Sequence, residues 1–268
     1  MSYVPITTID GVIDALQKII DDSIATNSRT GYFAALYYKV TAAVRDGIAS
    51  GQFQNGPRME KFDVLFANRY LEAYYNWKNG LPLTASWAYA FAETSKSGVL
   101  VLQHLLLGMN AHINLDLGIV AVQAAGSEPF DDIQTDFNSI NSIISALTYQ
   151  VLNEISRVSP LLSLLGLHAG DSTSALIQFS IDNARDGAWC FAEALLKTSG
   201  DAYNTTITKR DQTIQTLAQS ITTAKGLMRL TIWIIHLFEW KNPARITKTL
   251  HEFVKAKIVV DGHSASRH

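Results

Sequence analysis

Apolar residues recur along this chain at helical spacing. In "TTIDGVIDALQKIIDDSI" the residues Ile9, Val12, Ile13, Leu16, Ile19 and Ile20 follow the i, i+3, i+4, i+7 rhythm of a helix with one buried face. Thr8 or Asp10 is placed to cap it. A second helix is predicted over "TGYFAALYYKVTAAVRDGIASG", from near Ser28 to Gly51. In "GPRMEKFDVLFANRYLEAYYNWKNG" Pro57 stands in the first turn and Gly80 just past the end, the usual asymmetry of helix termini. A short helix at 84–94 and a long one at about 97–125 follow. The segment from Pro129 to Val158 opens with acidic residues, which a helix N-terminus favours. After a loop at 158–172, helices are expected at 173–198, at 202–238 with a break near Gly226, and at 243–257. The prolines fall near these boundaries, and "AKIVVDG" is the one strand-like scrap. The pattern therefore predicts an all-α fold: a single domain over 1–257, with about eight to nine helices bundled around a buried central helix. A mobile tail is expected over 258–268.

Composition narrows the function classes. The 268 residues are 47% hydrophobic and 17% charged, which suits a folded chain with a substantial core. The net charge is −2 and no basic block occurs, so nucleic acid is not an expected partner. The single cysteine, Cys190, rules out an intrachain disulfide and reads as a buried, inert thiol. The start lacks a basic region and an apolar signal core, so the expected location is cytoplasmic. The apolar runs "GVLVLQHLLLGMNA" and "LMRLTIWIIHLF" fall short of the ~20 residues of a membrane span and carry polar groups, so no span is expected.

The candidate chemistry lies in "LLLGMNAHINLDLGIV". On a wheel of 100° per residue, His104, Gly108, His112 and Asp116 share one arc, while Gln103, Asn110 and Asn114 form a second stripe roughly opposite. A helix this apolar is buried on most sides, so its polar groups must bond neighbouring helices or line a cavity. His112 and Asp116, four apart, meet on one face. They would bind one metal, or Asp116 would orient His112 as a general base. His104 lies too far along the axis to share that metal and is assigned to the cavity wall; Gly108 leaves room for a ligand or a close helix. His236 and Glu239, at i, i+3 in "WIIHLFEW", are the pair that would complete a divalent site for Zn, Fe or Mn. The spacing matches neither a di-iron bundle nor a zinc protease helix.

Other polar residues sit on apolar helices. Asp63, between Phe62 and Val64, is a candidate cavity acid. Arg69 and Glu72 are read as an ordinary pair on a partly solvated face. Arg185 would stack on Trp189, clamp an acidic group or bridge to Asp182. Asp131, Asp132 and Asp136 resemble the magnesium-binding aspartates of terpene cyclases, but the second motif of that fold is absent and helix capping explains them. There is no glycine-rich phosphate loop and no serine-nucleophile elbow.

"GMNAHINLDL" (108–117), "FDVLFANRYLEAY" (62–74), "DFNSIN" (136–141) and "ARDGAW" (184–189) together resemble an uncharacterised bacterial family of all-helical proteins, a domain of unknown function. The resemblance spans about 30–255. It implies His112, Asn114 and Asp116 as the place to look, with Asp63, Asp136, Asn141, Arg185 and Trp189 as neighbours, and it implies no activity.

The expectation is an enzyme, of a biosynthetic kind, acting on a small, largely apolar molecule between helices. His112, Asp116, Asp63 and Arg185 would be catalytic, and His104, Gly108, Asn114, Trp189 and Asn141 would bind substrate. The metal-dependent version is a hydrolase or oxygenase with His112, Asp116, His236 and Glu239 as ligands. The alternatives are a metal-free cyclase or isomerase using His112 and Asp116, and a non-enzymatic binding or structural protein. Tyr37, Tyr38, Tyr74, Tyr75 and Trp77 are read as surface aromatics lining a pocket or a homodimer face.

Overall fold

The computed structural model describes residues 2–126, 129–170, 176 and 179–252, with the side chains of 141, 142, 145, 146 and 148–150 excepted. The expected tail at 258–268 and the end of the last helix at 257 lie outside the described residues. Within them the chain forms helices and no strand. The α-helices are α1 (Ile9–Ala25), α2 (Gly31–Ala49), α3 (Gly56–Lys78), α4 (Ala85–Glu93), α5 (Val101–Ala111), α6 (Leu117–Ala125), α7 (Gln134–Val158), α8 (Ile181–Leu196), α9 (Gly200–Thr222), α10 (Gly226–Phe238) and α11 (Pro243–Glu252). The count exceeds the eight to nine expected. The break expected near Gly226, which takes a positive φ of 52°, separates α9 from α10. One cause of the higher count is that the single rod expected at 97–125 begins at Val101 and changes pitch midway.

That change of pitch is a π-helical turn, His112–Asp116, between α5 and α6. Leu117 N–H bonds the carbonyl of His112, five residues back instead of four. The rod is otherwise a core helix: Leu105, Leu107, Leu115 and Leu117 are all buried. By length and composition Val101–Ala125 is long and apolar enough to cross a membrane, but 83% of its most apolar window is buried inside the protein. α2 packs on one side of the rod, α4 and α9 on others, and α8 lies along the π turn and α6.

Two glycines of the rod permit close approaches of neighbouring helices. A Cβ on Gly108 would lie 2.4 Å from the Phe33 ring, and one on Gly118 would lie 2.6 Å from the Phe191 ring. Gly108 therefore makes room for a neighbouring helix, not for a ligand.

The second polar stripe fastens the rod to α9. Gln103 Nε2 donates to the carbonyl of Ile221 at 2.8 Å, and Asn110 Nδ2 to that of Ile214 at 2.9 Å. Asn114 Nδ2 donates to Asn110 Oδ1, and the Asn114 carbonyl accepts from Arg210 Nε. Burying these amides costs little because each has a partner. Other buried charges are also structural. Asp211 on α9 caps α4, accepting from the backbone N–H groups of Ala85 and Ser86 and from the Ser86 hydroxyl. Asp136 fastens the turn that leads into α3, accepting from the backbone N–H groups of Gln54 and Asn55 and from the Arg58 guanidinium, while Asn55 itself caps the helix. Lys39 on α2 and Glu154 on α7 form an ion pair with both side chains buried.

α8 starts at Ile181, with the Ser180 hydroxyl accepting from Asn183 N–H as its cap, and the expected start at 173 lies outside the described residues. On this helix Cys190 is exposed, not buried. Cys190 directly follows Trp189, and Phe191, next along, is the one that points into the core.

Candidate functional site

The cavity lies beside the π turn, between α2, α3, α5, α7 and α8, and holds about 290 Å³. Its walls are almost wholly aliphatic and aromatic. Among the described residues four polar side chains interrupt them: Tyr37, Asp63, His112 and Arg185. Asp63 and Phe66, three apart on α3, both face the cavity.

His112 is held by Phe66, Tyr37 and Asp116. Its ring stacks on Phe66 with centroids 3.6 Å apart and planes 6° apart, and Tyr37 meets it edge-on at 4.6 Å. Its Nδ1 is 3.3 Å from Asp116 Oδ2. Asp116 is fully buried behind it, away from the cavity. Arg69 Nε donates to Asp116 Oδ1 at 3.0 Å, and Trp87 Nε1 to Oδ2 at 2.8 Å. Burial alone would raise the Asp116 pKa, but the Arg69 charge and the hydrogen bonds from His112 and Trp87 outweigh it and hold the carboxyl below its ordinary value. Burial pushes His112 the other way, below the ordinary imidazole value, with Asp116 opposing only in part. The ring is thus neutral at pH 7, and an ionised carboxylate can only accept, so the ring proton sits on Nδ1. Nε2 is left with a bare lone pair, buried and without a hydrogen-bond partner.

Asp63 complements it. The residue is 3% exposed, and its Oδ2 has no hydrogen-bond partner. Burial, and then the negative charge of Glu60, push its pKa up to about 7. It is therefore poised to hold or release a proton near neutrality. Its charge also acts on the Tyr37 hydroxyl, which burial already keeps protonated. Arg185, 3% exposed, lies on the α8 side of the cavity. Its guanidinium sits 4.3 Å over the Phe137 ring and one Nη donates to the Phe137 carbonyl, while Nε has no partner. Burial lowers its pKa to about 10, so it stays a cation.

The sequence-predicted residues thus fall into separate places. His112, Asp63 and Arg185 line the cavity, and Asp116 orients His112 from behind. His236 and Glu239 do not join them. Glu239 caps the far end of the rod, accepting from Val101 N–H at 3.1 Å and from the Ser159 hydroxyl, and His236 Nδ1 is 3.9 Å from its other oxygen. Val101 and Asp116 are separated by roughly 20 Å of helix at 1.5 Å per residue, so the four expected ligands do not converge. Among the described residues no group of three or more His, Cys, Asp or Glu side chains does. Both Asp116 oxygens are already engaged by Arg69, Trp87 and His112.

His104 packs edge-on to Tyr32 at 5.7 Å, away from the cavity, and burial drives its pKa down to about 3. Gly108 faces Phe33, and the Asn114 side chain bonds Asn110 along the rod while its carbonyl accepts from Arg210 of α9. Trp189 packs on Phe130 and Phe137 and donates to Glu193, outside the cavity, and Arg185 lies over Phe137 where Trp189 or Asp182 was expected. The Asn141 side chain lies outside the described residues. Tyr37, read as a surface aromatic, is buried in the cavity wall, and Arg69, read as the partner of Glu72, serves Asp116. Trp87 carried no signal in the sequence. Arg69 carried a weak one, a charge flanked by the apolar positions of α3.

The model of a family of unknown function (DUF5995) matches residues 9–224, a span that includes every polar group of the cavity and stops short of His236 and Glu239. No curated protein matches the chain, and no solved structure does.

Proposed function

The chain belongs to the DUF5995 family, and we propose that it is an enzyme that moves a proton on a small, largely apolar molecule held in the cavity, without a metal. The reaction class is isomerisation or cyclisation. His112 Nε2 takes the proton, Asp116 keeps the imidazole in the required tautomer and stabilises the imidazolium that forms, and Asp63 returns a proton elsewhere on the molecule. Arg69 and Trp87 are positioning residues, because they act through Asp116.

One observation carries this reading: two buried groups with complementary proton affinity, His112 Nε2 and Asp63 Oδ2, have no partner and line the same apolar cavity. A packing role alone would favour satisfied groups, since each unpaired buried polar atom costs about 1–3 kcal/mol. Groups tuned by burial in a cavity are where proton-transfer chemistry is found.

The test begins with organic extraction of the purified protein and mass spectrometry of what is released. The molecule recovered is then returned to the stripped protein in heavy water. Wild type should introduce deuterium, and His112→Gln and Asp63→Asn should lose that exchange by at least about 100-fold while still binding the molecule. Binding with unchanged exchange in both variants would sink the enzymatic reading and leave a carrier protein. Recovery of only strongly polar molecules would sink the apolar-substrate reading itself.

A further inference from the structure

Arg185 has no use in that proton transfer. Among the described residues it is nonetheless the one cation in the wall of an apolar cavity, with 3% of its surface exposed. Of the five N–H groups of a guanidinium, the structure accounts for one, donated to the Phe137 carbonyl, and Nε has no acceptor. No carboxylate bridges to it among the described residues. Asp182 and Asp186, its neighbours on α8, are exposed, and their charges reach it only from a distance. Asp63 shares the cavity but is not its counter-ion. A nearby guanidinium would pull Asp63 down, whereas burial and Glu60 push it up.

A buried cation without an anion is costly, and the guanidinium fork matches a carboxylate better than any other common group. We infer that the molecule taken by the cavity is an amphiphile, an apolar body ending in a single carboxylate, and that Arg185 binds that carboxylate at the α8 side. The inference rests on the cavity being the ligand site. It adds the charge of the ligand and its direction. Arg185, Phe62, Phe66 and His112 all line the cavity, and ring contacts link them in that order, with Phe137 joining Arg185 to Phe62 from outside the lining. The carboxylate at one end of that row leaves the apolar body to reach His112 and Asp63 at the other.

The experiment is a binding series on the stripped full-length protein, using decanoate, 1-decanol and decyltrimethylammonium, read by calorimetry. The same apolar body is kept throughout and only the head changes. Decanoate should bind at least about tenfold tighter than decanol, as a charge-assisted pair implies, and the cationic amphiphile should bind weakest. Arg185→Gln should remove the preference for decanoate and leave decanol within about twofold. Equal binding of decanoate and decanol to wild type would overturn the carboxylate inference while leaving the cavity reading intact. Failure of all three to bind would overturn both. If Arg185→Gln does not fold, the wild-type series decides by itself, and Arg185→Lys, which keeps the charge and loses the fork, should retain part of the decanoate preference.

Discussion

Replacing Asp63 with asparagine should stabilise the protein at alkaline pH and leave it nearly unchanged in acid. The free-chain pKa of 3.8 rises to about 7 in the fold, through burial first and the Glu60 charge second. Below 3.8 the carboxyl is protonated in both states and contributes no pH dependence. Between 3.8 and 7 the folded state keeps a proton that the unfolded state has released, so stability falls as pH rises, by about 1.4 kcal/mol per pH unit. The penalty is complete above 7, where it reaches about 4 kcal/mol. Asparagine has nearly the same shape and never ionises, so the variant escapes it. Urea denaturation at about pH 4, 5.5, 7 and 8, followed by far-UV circular dichroism, reads the difference, provided the m-value is unchanged. The gap between variant and wild type should open from near zero to about 4 kcal/mol in favour of the variant. A gap of the same size at every pH would refute the reasoning, because the carboxyl would then ionise in the fold as it does in the unfolded chain. The assignment of Asp63 as a proton donor near neutrality would fall with it. A residue that costs stability where it ionises is better explained by use than by packing.

Two further outcomes test the arrangement around the rod. Asp116→Asn strips Arg69 and His112 of their anion; breaking a buried pair costs about 3–5 kcal/mol, and because the Arg69 side chain is 27% exposed the expected loss at pH 7 is about 2–4 kcal/mol, with a loss under about 1 kcal/mol counting against the pair. Since Asp116 is held below its free-chain value of 3.8, its contribution is complete above that pH and fades as pH falls through the lower, folded value, so the gap between wild type and Asp116→Asn should close in strong acid. Gly108→Ala drives a methyl to 2.4 Å from the Phe33 ring, which should lower stability by about 1–3 kcal/mol and be relieved in part by Phe33→Leu; an unchanged Tm would show that α2 does not pack where it is described.

The helices themselves were written in the sequence because the signal for them is local. The spacing of Ile9, Val12, Leu16 and Ile20, the Thr8 cap and the Gly226 break each act within a few residues, and the structure has all three. The central rod was legible for the same reason: so apolar a helix has nowhere to go but the core. His112, Asp116 and Asp63 could be singled out because polar groups on apolar helices stand out without any knowledge of the fold.

Their partners could not be read, because partners are chosen by packing between distant segments. Arg69 is 47 residues from the aspartate it serves and Trp87 is 29 away, and nothing in either neighbourhood marks them. The two polar stripes looked alike on a wheel. Tertiary contacts decided that Asn110 and Asn114 fasten α9, whereas His112 faces a cavity. The wheel also assumed a constant 100° per residue, and the π turn at His112–Asp116 breaks that assumption at the residues that matter most. His236 and Glu239 matched the spacing of a ligand pair, yet Glu239 was recruited to cap the far end of the rod. Local periodicity sets which residues are helical and which are buried; what a buried polar group bonds to depends on which helices meet, and only the fold decides that.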